Sequence, residues 1–592
     1  MKGFDVLKVK SAVKNHNKFD LSRTHLTTMD FGQIVPLLAE ETVPGDNFNI
    51  SAEYFSRMAP LTKPTYGKFS FKTVAAFVPY YMIAEDADAW LSGKVSWEGS
   101  TPIQRCVTVG DIHNFINSYC TTSVGVNATN CQYTYVDASG TVIYRRWTNK
   151  GRYWVKILNA LGYACPENVD LQTTSTWYTT IKDIKLSAYP LLAFFKLYND
   201  YMSQSQRFNI SQLSSFLQNV KYNKSVAAQY TPSTGLITYY GLNSMFSNLF
   251  LNYENDYFTS AWQSPNIPLA GVPENIDSAS IPGNGFGLPS LEEDSLNTYV
   301  KFPVVTMPSP DHVNIQQRAL DFLKDFDDWV RRNNYSGSRA VQQIYSRFGI
   351  KTDDYKSHYA QVISTDTLPV SVGDVTATAD ATGVPLGDYA GKGIMAGNKG
   401  VSCKVSDFGI ILILGYFTVV PMMSYGYDRK VLRNNPLDYY NPEFDGLGAE
   451  AISAGEVYEN CIQDPTADTT KMTDVYGFTE RYNSYRYGRD QITGEFRDYR
   501  PTGDMNVWHT GRNLNTIRNA GNLIAQSTAM NTLPQNDSEY NRIFSITNGD
   551  VDHFYMTARF NVSAIRPMLN LNQVPRLGEG DTTVPRNGNV IS

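Results

Sequence analysis

The residues best suited to chemistry in this chain are dispersed rather than gathered. Its seven histidines (His16, His25, His113, His312, His358, His509 and His553) include no two at metal-ligand spacing. Asp552-His553 offers half of an acid–base pair, and Asp327-Asp328 and Asp353-Asp354 offer hard oxygens to a cation. An Asp-His dipeptide opening a strand, or adjacent carboxylates on a solvated helix or loop, more often serves structure. The run Gly283-Asn284-Gly285-Phe286-Gly287 has the wrong spacing for a nucleotide loop, and no amphipathic helix follows it. Phosphate-loop, HExxH and GxSxG signatures are absent. Carboxylate pairs for glycoside hydrolysis come from distant strands, so local spacing leaves that chemistry open.

Two basic features suit nucleic acid. Residues 1–25 carry Lys2, Lys8, Lys10, Lys14, Lys18 and Arg23 against only Asp5 and Asp20. A basic arm of this kind neutralises phosphates without reading sequence, although a solvated terminus has the same composition. The second feature is YRRWTNKGRYW (Tyr144–Trp154), where Arg145, Arg146, Lys150 and Arg152 interleave with Tyr144, Trp147, Tyr153 and Trp154. Aromatics that stack bases beside cations that hold phosphates describe single-strand binding. The same string describes a strand pair in a protein interface, where Arg, Tyr and Trp are enriched, and that reading is preferred.

The chain has 592 residues, 42% hydrophobic, 13% aromatic with 39 Tyr, and only 18% charged. That supports a large core and surfaces partly buried against neighbours. A net charge of −6 argues against a protein that coats nucleic acid over its whole surface. Six cysteines (Cys106, Cys120, Cys131, Cys165, Cys403, Cys461) without a CxxC pair read as reduced thiols of a cytoplasmically made protein. The N-terminus has no continuous apolar segment, so no signal peptide is expected. Phe408–Met423 is apolar but short, and Gly409, Gly415 and Pro421 interrupt it. Its Ile, Val, Tyr and Phe predict a strand buried on both faces, not a membrane span.

The elements that must position these residues are mostly strands. Tyr66–Val78 partly alternates and halts at Pro79, and His553–Val562 places Phe554, Met556, Ala558, Phe560 and Val562 on one face. An amphipathic helix is expected over Val313–Asn333, with a shorter one over Ala340–Phe348 ending at Gly349. Ser187–Met202 predicts a buried helix with Pro190 in its first turn, and Ser211–Val220 a short one. Residues 92–182, 204–252 and 264–297 read as insertions, rich in Thr, Asn, Ser and Tyr or in Pro and Gly.

Several blocks in fixed order carry a family resemblance: DYFTSAW (Asp256–Trp262), SAYPLLAFFKLYNDYMSQSQR (Ser187–Arg207), NNPLDYYNPEF (Asn434–Phe444), YGFTERYNSYRYGRDQITGEFRD (Tyr476–Asp498), WHTGR (Trp508–Arg512) and VDHFYMTARFNVSAIRPM (Val551–Met568). With DFGQIVPLLAEETVPGDNFNIS (Asp30–Ser51), FKTVAAFVPYYMI (Phe71–Ile83) and the segment Val313–Asp354, they span nearly the whole chain. Together they resemble the major capsid protein of the Microviridae, in its gokushovirus-like branch and relatives.

That resemblance implies a mainly β fold, an eight-stranded antiparallel jelly-roll sandwich with long helical and irregular insertions between strands. It implies a homo-oligomer of sixty copies in a T=1 shell around circular single-stranded DNA. It also implies scaffolding and DNA pilot proteins, a host surface receptor, location in the virion and no membrane insertion. The expected organisation is a basic arm over 1–25 and one capsid domain over 26–592. The candidate DNA contacts are Lys8, Lys10, Lys14, Lys18 and Arg23 of the arm and Arg145, Arg146 and Arg152 of the second basic string. Structural roles are expected at Asp256, Tyr257, Phe258, Thr259, Ser260, Gly494, Phe496, Arg497 and Asp498. No catalytic residue, metal or cofactor is expected. Surface insertions are expected to contact the host; the segments 207–256 and 90–187 look longer than in relatives and the loop after DYFTSAW is short, so which insertion projects is left open. The competing readings are an envelope-associated glycan-binding protein, which would need an export signal, and a β-sandwich glycosidase, which would need a carboxylate-lined cleft.

Overall fold

The computed structural model describes residues 16–92, 101–124, 133–136, 142–164, 176–203, 212–247, 249–263, 292–294, 297–301, 359–376, 389–445, 449–459, 474–497, 505–512, 514, 523–525, 527–533, 539–546 and 551–568. The helices expected over Val313–Asn333 and Ala340–Phe348, the glycine run at 283–287 and both Asp pairs lie outside these residues.

The main sheet contains β1 (Asn17–Asp20), β2 (Arg23–Met29), β3 (Ile34–Thr42), β4 (Asn47–Met58), β5 (Lys68–Pro79), β6 (Gln361–Thr376), β7 (Tyr389–Lys404), β8 (Gly409–Val420) and β9 (Phe554–Arg566). Its order is β1–β9–β4–β7–β6–β5–β8–β3, and β2 also pairs with β9. Because β1 and β2 occupy successive stretches of the same β9 edge, the nine strands fill eight positions, all antiparallel. This is the expected jelly roll, mainly β with insertions.

The sheet folds on itself at β6 and β7. Val362–Val370 of β6 registers with β5, whereas Ser371–Thr376 registers with β7; β7 in turn passes to β4 from Ile394 onward. Strands that change partners at a corner need small residues there. Gly391 and Gly393 supply them, because a Cβ would collide with Leu61 and Met58. The curl brings Phe417 of β8 against Phe554 of β9 with ring centroids 3.9 Å apart, and Tyr54 of β4 against Phe71 of β5.

The two halves of the roll have different outer faces. On β4 and β9 every second residue is buried, so their outer face is exposed. On β8 nearly every residue is buried, as its apolar run predicts. The outer layer comes from the long β5–β6 connection, which holds α1 (Val109–Ser118), α2 (Asn149–Ala160), α3 (Tyr189–Tyr201), α4 (Gln212–Lys221) and α5 (Tyr239–Ser247). Helix α3 packs on β5 and β8, and α2 packs on β3. The apolar positions of α3, from Leu191 to Tyr198, are buried as expected, with Pro190 in its first turn. All three expected insertions fall inside this one connection. The connection from β8 to β9 is also long and builds a second apolar cluster. No described helix is long and apolar enough to cross a membrane. Cys106 and Cys403 carry free thiols.

Removing the ring that joins the two sheets, by Phe417→Ala, is expected to cost about 3–5 kcal/mol. Denaturant unfolding checks this against Lys392→Ala on the exposed face, expected within about 0.5 kcal/mol of the parent.

Candidate assembly and nucleic-acid surfaces

A roll of eight strands leaves one edge of β3 without a strand neighbour, and side chains seal it. Arg23 Nη2 donates to Ala39 O at 2.7 Å, Arg566 Nη2 to Glu41 O at 2.7 Å, and His25 Nδ1 lies 2.9 Å from Leu37 O. At the start of β3, Ile34 N–H donates to the Tyr153 hydroxyl at 2.6 Å, and that hydroxyl lies 3.1 Å from Ile34 O. Tyr153 thereby pins α2 beside the seam. Pro36, which has no N–H, sits at the register shift of this edge strand, where its missing donor is tolerated.

Between α2 and the outer face of β2, β9 and β4 lies a groove of about 810 Å³. Its floor carries Leu26, Phe55, Arg57 and Tyr555; Arg152 and Lys156 come from the helix wall. The Arg57 guanidinium stands over the Phe55 ring, 5.5 Å from its centroid. Three Lys or Arg side chains face the groove against one carboxylate, Asp552. Lys156 Nζ lies 2.7 Å from Asp552 Oδ2 and 2.7 Å from Gln33 Oε1, and the Thr28 hydroxyl also donates to Asp552. Burial works against the Asp552 charge, but Lys156, Thr28 and Arg152 outweigh it and hold the carboxyl below its ordinary range.

Beneath this corner His553 is fully buried. Its Nδ1 faces Asp30 Oδ2 at 3.2 Å, and its Nε2 faces Ile546 O at 2.8 Å. Both partners are acceptors, so both ring nitrogens donate and the ring carries a proton. Burial opposes that charge, yet the Asp30 hydrogen bond and charge, the Ile546 carbonyl and the Asp552 charge together raise its pKa.

The second apolar cluster gathers the sequence blocks. Asp256 Oδ1 accepts from the N–H groups of Phe258 (2.9 Å) and Thr259 (2.7 Å), while Thr259 Oγ1 accepts from Asp256 N and donates to Glu254 O. Ser260 Oγ closes the turn on Asp256 O. This polar turn drives Tyr257 and Phe258 into a core with Met423, Ile452, Val457 and Tyr476. Tyr476 Oη donates to Phe258 O, Tyr257 stacks on Tyr487, and Trp262 exchanges backbone hydrogen bonds with Phe478. Beside it Arg429 bridges Glu450 and Glu456. Gly494 opens a turn at φ 66°, where glycine is unstrained; Phe496 O meets His509 Nε2 at 2.8 Å, and Arg497 pairs with Glu459 at 2.6 Å.

Over that core, Asn434–Phe444 and Tyr485, with Arg433 and Arg481, form an aromatic and arginine surface patch around the buried Tyr482. Leu437, Tyr439, Tyr440 and Tyr485 are each about half exposed or more. Arg433 lies 4.0 Å over the Tyr485 ring, Arg481 5.1 Å over Phe444, and Tyr440 packs edge-on to Tyr482. Exposed aromatic side chains beside arginines have the composition enriched at protein interfaces.

The sequence pattern of the family described as "Capsid protein (F protein)" matches residues 7–105 and 311–576, more than half of the chain and every strand of the jelly roll. The chain belongs to this family of phage capsid proteins. It is similar to "Capsid protein VP1" of Chlamydia phage 1, 24% identical with 95% of each chain covered. It is likewise similar to "Capsid protein VP1" of Bdellovibrio phage phiMH2K, 20% identical with 95% of each covered. The resemblance to Microviridae major capsid proteins is borne out, and the protein is a structural component of the virion, not an enzyme. Residues 106–310, which hold α1 to α5 and DYFTSAW, lie between the two matched stretches.

The expected DNA contacts of this capsid protein scatter. Lys8, Lys10 and Lys14 lie outside the described residues. Lys18 is exposed on β1, within the stretch read as an arm, and Arg23 is engaged in the seam with Ala39 and Glu40. Arg145 and Arg146 lie on the strand Val142–Trp147, but the string does not continue as a strand pair: from Asn149 it is α2, capped by Thr148. Trp147, Tyr153 and Trp154 are buried, so their rings pack the protein rather than bases. Arg152 reaches the groove. Asp498 lies outside the described residues. Sequence reading missed Phe55, Arg57 and Tyr555; their exposed positions on alternating strands were a signal, but their proximity was not.

Phe258→Ala is expected to destabilise the second core by about 3–5 kcal/mol, read as earlier local proteolysis or lower thermal stability. His553 titrates higher folded than unfolded, so its stabilisation is complete below about pH 6.5 and is lost as pH rises through the folded value. Unfolding free energy measured across that interval should fall with pH, and His553→Gln should remove the slope.

Proposed function

We propose that this capsid protein assembles as sixty copies into a T=1 icosahedral shell enclosing circular single-stranded DNA. The exposed Tyr/Arg patch over the second core carries the reading, because such residues dominate the centres of protein interfaces. Repeated modest contacts of this kind, arranged by closed symmetry, hold a shell together. The fold is read as one jelly-roll domain whose basic N-terminal residues, with Lys18, Arg145, Arg146 and Arg152, lie toward the genome. Parts of the β5–β6 connection away from α2 supply the surface insertions that meet a host receptor. Scaffolding and pilot proteins assist assembly.

Electron microscopy of native particles with DNA retained tests the proposal, and sixty copies per particle is the expected result. The double variant Tyr440→Ala with Tyr485→Ala should leave a folded protein that sediments as small oligomers. Wild-type-like particles from that variant would remove the patch from the shell contacts.

A further inference from the structure

We propose that the groove between α2 and the β2–β9–β4 face binds an unpaired nucleotide of single-stranded DNA. This rests on the reading that the shell encloses such DNA, and it assigns that contact to a site the basic N-terminal segment does not contain. Phe55 and Tyr555 are each 41% exposed, and they lie diagonally across the β4–β9 ladder, where Phe55 faces Thr557 and Tyr555 faces Arg57. Diagonal neighbours on one sheet face are within reach of a single planar ligand. Both rings are exposed on the same face within reach of one base, while Leu26, 74% exposed on β2, forms an apolar rim.

The charge in the groove complements a phosphate. Arg57 stands over Phe55, where it reinforces stacking, and Arg152 lines the helix wall. The one lining carboxylate, Asp552, is neutralised by Lys156 and Thr28, so it does not repel an anion. About 810 Å³ holds a nucleotide with its water. Stacking is sequence-tolerant, as a site presented many times to one genome requires.

The test measures binding of a fluorescent oligo-dT to the full-length chain over a range of salt, with ultraviolet crosslinking to map the contacted residue. Phe55→Ala with Tyr555→Ala should weaken binding by about tenfold or more. Arg57→Gln should lower the salt slope by about one. Crosslinks should map to Phe55 or Tyr555. Lys8→Ala with Lys10→Ala and Lys14→Ala is the comparison that weakens binding without touching the groove. If the groove variants bind DNA like wild type but fail to form particles, the groove is a contact between copies and the assignment is overturned while the shell reading stands. If the wild-type chain binds no oligo-dT at any salt, the reading of DNA enclosure fails and takes the assignment with it.

Discussion

The edge of β3 is the constraint on which the architecture turns. An antiparallel roll of eight strands cannot complete its hydrogen bonding by backbone alone unless its first and last edges meet. Unpaired edges also invite other chains. Here Arg23 of β2 and Arg566 of β9 reach the outward carbonyls of Ala39 and Glu41, the His25 ring meets that of Leu37, and Tyr153 takes both polar groups of Ile34. Hydrogen bonds from charged donors are stronger than neutral ones, so few side chains suffice where a strand is missing.

Sealing the edge this way has consequences for everything around it. Tyr153 belongs to α2, so the seam fixes the helix, and the helix walls the groove. The same corner holds two ionic pairs: the part-buried Lys156–Asp552, which joins α2 to the start of β9, and the fully buried His553–Asp30, which joins the β2–β3 turn to it. Buried pairs add little net stability, but breaking one strands a charge, so they specify a single arrangement of the corner. In the opposite half of the roll β8 is buried on both faces because α3 covers it, and most of the residues buried along β8 are apolar.

Much of this was legible without coordinates. The period of two at Phe554–Val562 correctly predicted the buried face of β9, the unbroken apolar run at 409–420 predicted a doubly buried strand, and the crowded apolar face of Leu191–Tyr198 predicted a covered helix. DYFTSAW was recognisable as a block, and the structure explains its composition: Asp, Thr and Ser close a polar turn so that Tyr257 and Phe258 can enter a core. The stretch Tyr144–Trp154 was misread beyond Trp147, because interleaved aromatics and cations suit a strand surface and an amphipathic helix equally. The Thr148 cap and the depth of the core beneath α2 decided for the helix.

Local periodicity was therefore enough to place β5, β8 and β9, and the ordered blocks carried the resemblance that implied the jelly roll and the capsid family. They were enough because each depends on residues near one another in the chain, or on order along it. Only the tertiary structure decided that β3 is the edge to be sealed, that Tyr153 and Trp154 face inward, and that Leu26, Phe55, Arg152 and Tyr555 share one groove. Those outcomes depend on which distant strands pair and which helix lies over them. Contacts between segments hundreds of residues apart leave no spacing signal in a single sequence.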